Sequence, residues 1–118
     1  MAVLVLSACA SAEVPPGIAV LETSGAEVGV GHAASLDGTL VRENGCVYVV
    51  DDFQEKWIPL FSAGAVSERD GMIIYGAMRL TFGEDVSLPG GESIGGVEDA
   101  LIPDVCDADT EQWVLPAQ

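Results

Sequence analysis

From residue 36 onward, apolar residues come in short blocks separated by Gly, Pro, Asn and Asp. Asp37-Gly38 reads as a turn, and Thr39–Glu43 then alternates with the two-residue period of a strand. Asn44-Gly45 follows, a hairpin signal because both turn positions want positive φ. Cys46-Val47-Tyr48-Val49-Val50 is apolar on both faces and is expected to be a central strand, ended by Asp51-Asp52. Lys56-Trp57-Ile58-Pro59-Leu60-Phe61 reads as a third strand, which Pro59 restricts to an edge or a bulge.

Asp70-Gly71 turns the chain into Met72-Ile73-Ile74-Tyr75, and Met78, Leu80 and Phe82 alternate with Arg79 and Thr81 in the strand after it. Gly83-Glu84-Asp85 turns into Val86-Ser87-Leu88, a segment that Pro89-Gly90-Gly91 should close. Residues 92–100 read as a loop or one helical turn. Ile102-Pro103-Asp104-Val105-Cys106 brings the chain back to the barrel, and Trp113-Val114-Leu115 reads as a last edge strand. Short strands at roughly ten-residue spacing predict an all-β domain over residues 36–118. Its expected form is a small five- to six-stranded OB-like barrel, with a small β-sandwich as the alternative.

Residues 10–35 differ. They are rich in Ala, Ser, Gly, Glu and Pro, and Pro15-Pro16-Gly17 interrupts any element. A flexible tether is expected there, with one short strand near 18–22 around Ala19-Val20-Leu21. Gly25, Gly29 and Gly31 have the wrong spacing for a dinucleotide fingerprint.

Composition agrees with strands. The chain is 49% hydrophobic, and its 14 Gly and 6 Pro favour turns over long helices. No apolar run approaches the roughly 20 residues of a transmembrane helix. Charge is the unusual quantity: 19 Asp and Glu oppose four Lys and Arg, for a net −15. That field repels phosphate backbones, so nucleic acid is excluded as an expected partner. A strongly solvated surface accounts for the acids without invoking a cationic ligand.

The N-terminus carries an address. Leu6-Ser7-Ala8-Cys9 fits a lipobox, with residues 1–9 as the remnant of a lipoprotein signal. Small residues let the backbone lie in the signal-peptidase cleft, and the Cys9 thiol becomes the thioether to diacylglycerol. Two acyl chains, at about 0.8 kcal/mol per buried CH₂, anchor a protein stably. Only eight residues precede Cys9 and none is basic, so either the true start lies upstream or the match is accidental. Three cysteines leave an odd one in an exported protein, and lipidation of Cys9 removes it. Cys46 and Cys106 are then the expected disulfide, a staple suited to so small a domain.

Asp37-Gly38-Thr39-Leu40, Asn44-Gly45-Cys46-Val47-Tyr48, Ile58-Pro59-Leu60-Phe61, the run Gly83–Gly91 and Ile102–Cys106 together resemble a group of small uncharacterised lipoproteins of actinobacterial type. The resemblance covers about residues 36–116 and lies mostly in turn and core residues. It implies export, a lipobox with two later cysteines bridged to each other, and an all-β barrel. It implies no activity.

Candidate chemistry is sparse. His32 is the only histidine and sits in the expected tether, so neither a zinc site nor a Ser35–His32–Asp37 triad has a rigid scaffold. Asp104, Asp107, Asp109 and Glu111 have the near-alternate spacing of calcium ligands. The EF-hand glycine and closing glutamate are missing, with Gln112 and Gln118 in those places, so a solvated acidic loop is the better reading. Asp51-Asp52 and Glu84-Asp85 are neighbours in sequence and point to opposite faces of a strand. Gly90-Gly91 and Gly95-Gly96 lack the Lys-Ser/Thr of a phosphate loop. Trp57, Tyr48, Tyr75 and Phe61 are either core or a ligand-stacking face on an OB-like sheet.

The expected protein is an extracytoplasmic domain, lipid-anchored through Cys9. It is expected to act without a metal, a cofactor or catalysis, as a binding or interaction module at the bacterial cell envelope toward an envelope protein or glycan. The alternatives are a metal-assisted or hydrolytic enzyme using acidic loop residues, and a structural subunit of an envelope complex.

Overall fold

The structure, a computed structural model, describes residues 14–21, 34–92 and 100–116; Cys9 and His32 lie outside them. All regular structure among the described residues is β. Five strands close a barrel: β2 (Ala34–Glu43), β3 (Cys46–Asp51), β4 (Lys56–Ser62), β8 (Asp85–Glu92) and β10 (Glu111–Val114). Around the ring the order is β2-β3-β4-β10-β8 and back to β2. Within the ring every pairing is antiparallel except β4 with β10, which is parallel. This is the OB-like barrel that the strand spacing predicts.

Local turn chemistry builds the first hairpin. Asn44 and Gly45 take φ of 51° and 91°, the left-handed pair that lets β2 run straight into β3. Asp37-Gly38 is no turn. Gly38 lies inside β2, facing Asp51 of β3 on one side and Val86 of β8 on the other. A Cβ there would stand 2.3 Å from the Val50 carbonyl oxygen, so only glycine lets the three strands close up where β2 passes from one neighbour to the other.

Pro59 departs from expectation too, because β4 is a central strand. On one edge β10 covers Trp57–Leu60. On the other edge β3 pairs with Lys56 and Trp57, and β1 (Ala19–Leu21) takes over at Leu60. The Leu60 carbonyl accepts from Leu115 on the β10 side, so the alternate residue Pro59 faces the β3/β1 edge. Its missing N–H falls at the changeover between two ladders, where no bond is forfeited. Trp113, expected on an edge, instead sits in the strand that closes the barrel. Its ring meets Trp57 edge-on at 5.8 Å, and its indole N–H donates to the Pro89 carbonyl at 3.1 Å. Strand β8 likewise runs on through Pro89-Gly90-Gly91 to Glu92, with Gly91 opposite Val114.

Inside the barrel, Leu36, Leu40, Val47, Val49, Trp57, Phe61, Leu88 and Trp113 form the main core. One end is closed by a three-stranded meander of β5 (Val66–Arg69), β6 (Met72–Tyr75) and β7 (Met78–Thr81). Its inner face contributes Val66, Ile73, Tyr75 and Leu80 to that core. Tyr75 stacks edge-on against Phe61 at 4.9 Å, and its hydroxyl ties the meander to the barrel. The hydroxyl accepts from the Ser62 N–H at 3.0 Å and donates to the Pro116 carbonyl at 2.7 Å.

Within the segment expected as a tether, the short strand expected near 18–22 is present as β1. Ile18, Ala19, Val20 and Leu21 are at most 2% exposed, and β1 is flanked by β4 and by the short strand β9 (Ala100–Leu101). Apolar side chains here find a barrel wall to bury against, which outweighs the break at Pro15-Pro16-Gly17.

Tyr75→Phe should destabilise the fold by about 1–3 kcal/mol, because it strands the buried Ser62 N–H and the half-buried Pro116 carbonyl while removing almost no apolar surface. Urea unfolding should show a lower midpoint with an unchanged slope.

Candidate functional site

An OB barrel commonly binds ligands on the outer face of its second and third strands, between the loop after strand 1 and the loop before strand 5. Here those strands are β3 and β4. The first loop is the tight Asn44-Gly45 turn, and the second is the long segment between β8 and β10. The outer face carries Cys46, Tyr48, Ile58 and Leu60, joined by Val114 of β10 and by Ala19 and Leu21 of β1. All are buried. Ala100, Ile102 and Cys106 lie over them.

The Cys46–Cys106 disulfide fastens that cover, bridging residues 60 apart in sequence. Gly17 sits close by: a Cβ on it would stand 1.9 Å from the Gly45 carbonyl oxygen, and its own carbonyl accepts from the Val47 N–H at 3.0 Å. Tyr48 is under the cover as well. Its hydroxyl accepts from the Asp107 N–H at 3.4 Å, and the Lys56 ammonium, paired with Glu43, lies 5.1 Å from its ring centre. Of the four aromatics weighed as a stacking face, Tyr48, Trp57, Phe61 and Tyr75 are all core. Gln112, on the same outward face as Val114, has a buried amide oxygen with no hydrogen-bond partner among the described residues.

An open cleft of about 740 Å³ lies between the Pro15-Pro16 segment and β5. Arg42 stands in its wall. The guanidinium grips Glu68 at 2.8 and 3.0 Å, donates to the Pro16 carbonyl at 3.1 Å, and lies 4.8 Å above the Phe82 ring. The Arg42 hydrogen bond holds the Glu68 carboxyl below its ordinary range, against a smaller opposing effect of burial. A more apolar groove of about 530 Å³ runs along Pro15, Ile18, Leu101 and Pro103.

Of the candidate catalytic acids, Asp51 and Asp107 have structural partners. Asp51 ends β3 as a turn acceptor: one oxygen takes the N–H groups of Phe53 and Glu55 at 2.8 and 2.9 Å, the other the Trp57 indole at 3.0 Å. These donors, the indole foremost, hold its carboxyl below the ordinary aspartate range. Asp107 accepts from the Asp109 N–H at 3.0 Å, and Asp104, Asp109 and Glu111 are exposed. Among the described residues no three His, Cys, Asp or Glu side chains gather as a metal site. Arg42 escaped sequence reasoning because its partner Glu68 is 26 residues away, with no local signal joining them.

Compared with known proteins, the chain matches no family model, no curated protein and no solved structure.

Two outcomes follow from this geometry. The Asp51 carboxylate stabilises the fold above its unfolded pKa, and that contribution is lost as pH falls through the lower folded pKa. Carboxyl NMR should find Asp51 titrating below ordinary aspartates, and Trp57→Phe should raise it. Replacing Cys46 and Cys106 together by Ser should cost about 4 kcal/mol on the chain-entropy model, read by urea unfolding. The same change should increase binding of an apolar dye, because the cover over Tyr48, Ile58 and Leu60 loses its staple.

Proposed function

We propose that this protein is an exported module of the bacterial cell envelope, lipid-anchored through Cys9, that works by binding a partner. The observation that carries the reading is the Cys46–Cys106 disulfide, which belongs to an oxidising compartment. Leu6-Ser7-Ala8-Cys9 supports the anchor, and the resemblance to small lipoproteins of actinobacterial type supports the address.

The role of the barrel in this reading follows from its surface. Its customary ligand face is covered by the chain's own segment, so the partner docks elsewhere. The acidic residues contribute solubility in an aqueous envelope rather than a catalytic centre: Asp51 is committed to its turn and to Trp57.

The full gene expressed in a lipoprotein-processing host should yield a protein that begins at Cys9 and carries the added mass of diacylglycerol. An intact N-terminus with unmodified Cys9 overturns the anchor. Under non-reducing conditions the mass should be two hydrogens lower than the reduced form, and free thiols at both Cys46 and Cys106 in protein from its own host overturn export.

A further inference from the structure

The meander has two faces, and only the inner one is spent on the core. Register assigns the outer one: Ser67 faces Ile74, which faces Arg79, and Arg69 faces Met72, which faces Thr81. Arg69 and Arg79 are exposed, while Met72 and Ile74 are half-buried in the middle strand between them. The face holds two of the chain's four basic residues and none of its 19 acids. The other two cations are already engaged, Arg42 with Glu68 and Lys56 with Glu43. Among the described residues no ion pair engages Arg69 or Arg79.

On a surface this acidic, a patch with two guanidinium groups outside any ion pair among the described residues, set around an aliphatic centre, suits a negative partner. Sheet spacing separates the two arginine backbones by about 12 Å, two strands across and two residues along. Two anionic groups spaced by a comparable distance can therefore each take one guanidinium. The centre between them, Met72 and Ile74, asks for an apolar group rather than a sugar hydroxyl. An extended chain meets both demands. Residues i and i+4 of a strand lie about 13–14 Å apart on one face, with residue i+2 between them.

We propose that the outer face of the β5–β7 meander docks an acidic polypeptide segment whose two carboxylates flank an aliphatic residue in the pattern acid-x-aliphatic-x-acid. This names the partner chemistry of the interaction module and rests on that reading. The carboxylates pair with Arg69 and Arg79, and the aliphatic side chain covers Met72 and Ile74. Guanidinium groups suit carboxylates because two parallel N–H donors meet two oxygens. The acidic field of the rest of the chain repels long polyanions, so the segment is short or its charge is confined to these two positions.

The test uses the full 118-residue chain with its disulfide intact. It is titrated with the end-blocked peptide Thr-Glu-Thr-Val-Thr-Glu-Thr while methyl resonances are followed by NMR. The Met72 and Ile74 methyls should shift and saturate, and the Gln-for-Glu peptide should bind several-fold more weakly. The pair Arg69→Glu and Arg79→Glu should weaken binding about tenfold or more. Both sites are exposed, and an unchanged thermal midpoint shows that the variant still folds. Ile74→Thr should weaken binding while leaving its salt dependence intact.

The proposal is overturned by absence of saturable binding, by equal binding of the Gln peptide, or by binding that survives charge reversal. It is also overturned if dextran sulfate or phosphatidylglycerol vesicles shift these methyls and the peptide does not. Acylation of Cys9 is read separately. An acylated protein that ignores the peptide removes this face and leaves the module reading standing, whereas an unacylated thiol protein that binds the peptide does the reverse.

Discussion

The parallel pairing of β4 with β10 is the constraint on which the rest of the molecule depends. Without it the strands form an open, twisted sheet with two exposed edges; with it they form a ring and the edges vanish. The pairing joins residues more than 50 positions apart, Glu111 with Trp57 and Val114 with Leu60. It sets Trp57 and Trp113 ring-to-edge in the interior, and it leaves Gln112 and Val114 on the outward face. Strand β1 takes its position from that wall, pairing with Leu60–Ser62 of β4.

A second consequence is a division of labour between the two ends of the chain's long excursions. The meander between β4 and β8 caps the barrel with apolar side chains and is held by the Tyr75 hydroxyl and by the Arg42–Glu68 pair. The segment between β8 and β10 covers a wall and is locked by a covalent bond. The first uses packing and buried hydrogen bonds. The second covers a smaller apolar cluster, and there the staple constrains the unfolded chain as well as the folded one.

Local signals in the sequence were readable where a few adjacent residues decide the outcome. Asn44-Gly45 and Asp70-Gly71 both turn as their residue types demand, with φ of 51° and 91° and of 53° and 77°. The Cys46–Cys106 pair followed from counting cysteines. Where two distant strands decide, the local reading failed. Asp37-Gly38 has the look of a turn, but its glycine serves a close approach of three strands. Pro59 has the look of an edge, but its silent nitrogen falls between two partners. Strand β5 carries one buried apolar residue, Val66, and is too weakly patterned to be read from its own residues. The meander face was hidden for the same reason: Arg69 and Arg79 are ten residues apart in sequence, and only the register across β6 brings them onto one side.

The burial of Ile18–Leu21 shortens the leash. If Cys9 carries the lipid, five residue steps separate it from Val14, where the described domain begins, and a fully extended chain covers only about 17 Å in that distance. The attached end of a chain of net charge −15 would then start within about two Debye lengths of the membrane surface, and any anionic lipid there would repel it. Tether and repulsion act on different parts of the body, one at the Gly17–Gly45 contact and the other on the whole acidic surface. With the lipid in place, the two together would act as a torque, turning the anchored end toward the bilayer and the bulk of the acidic surface away from it.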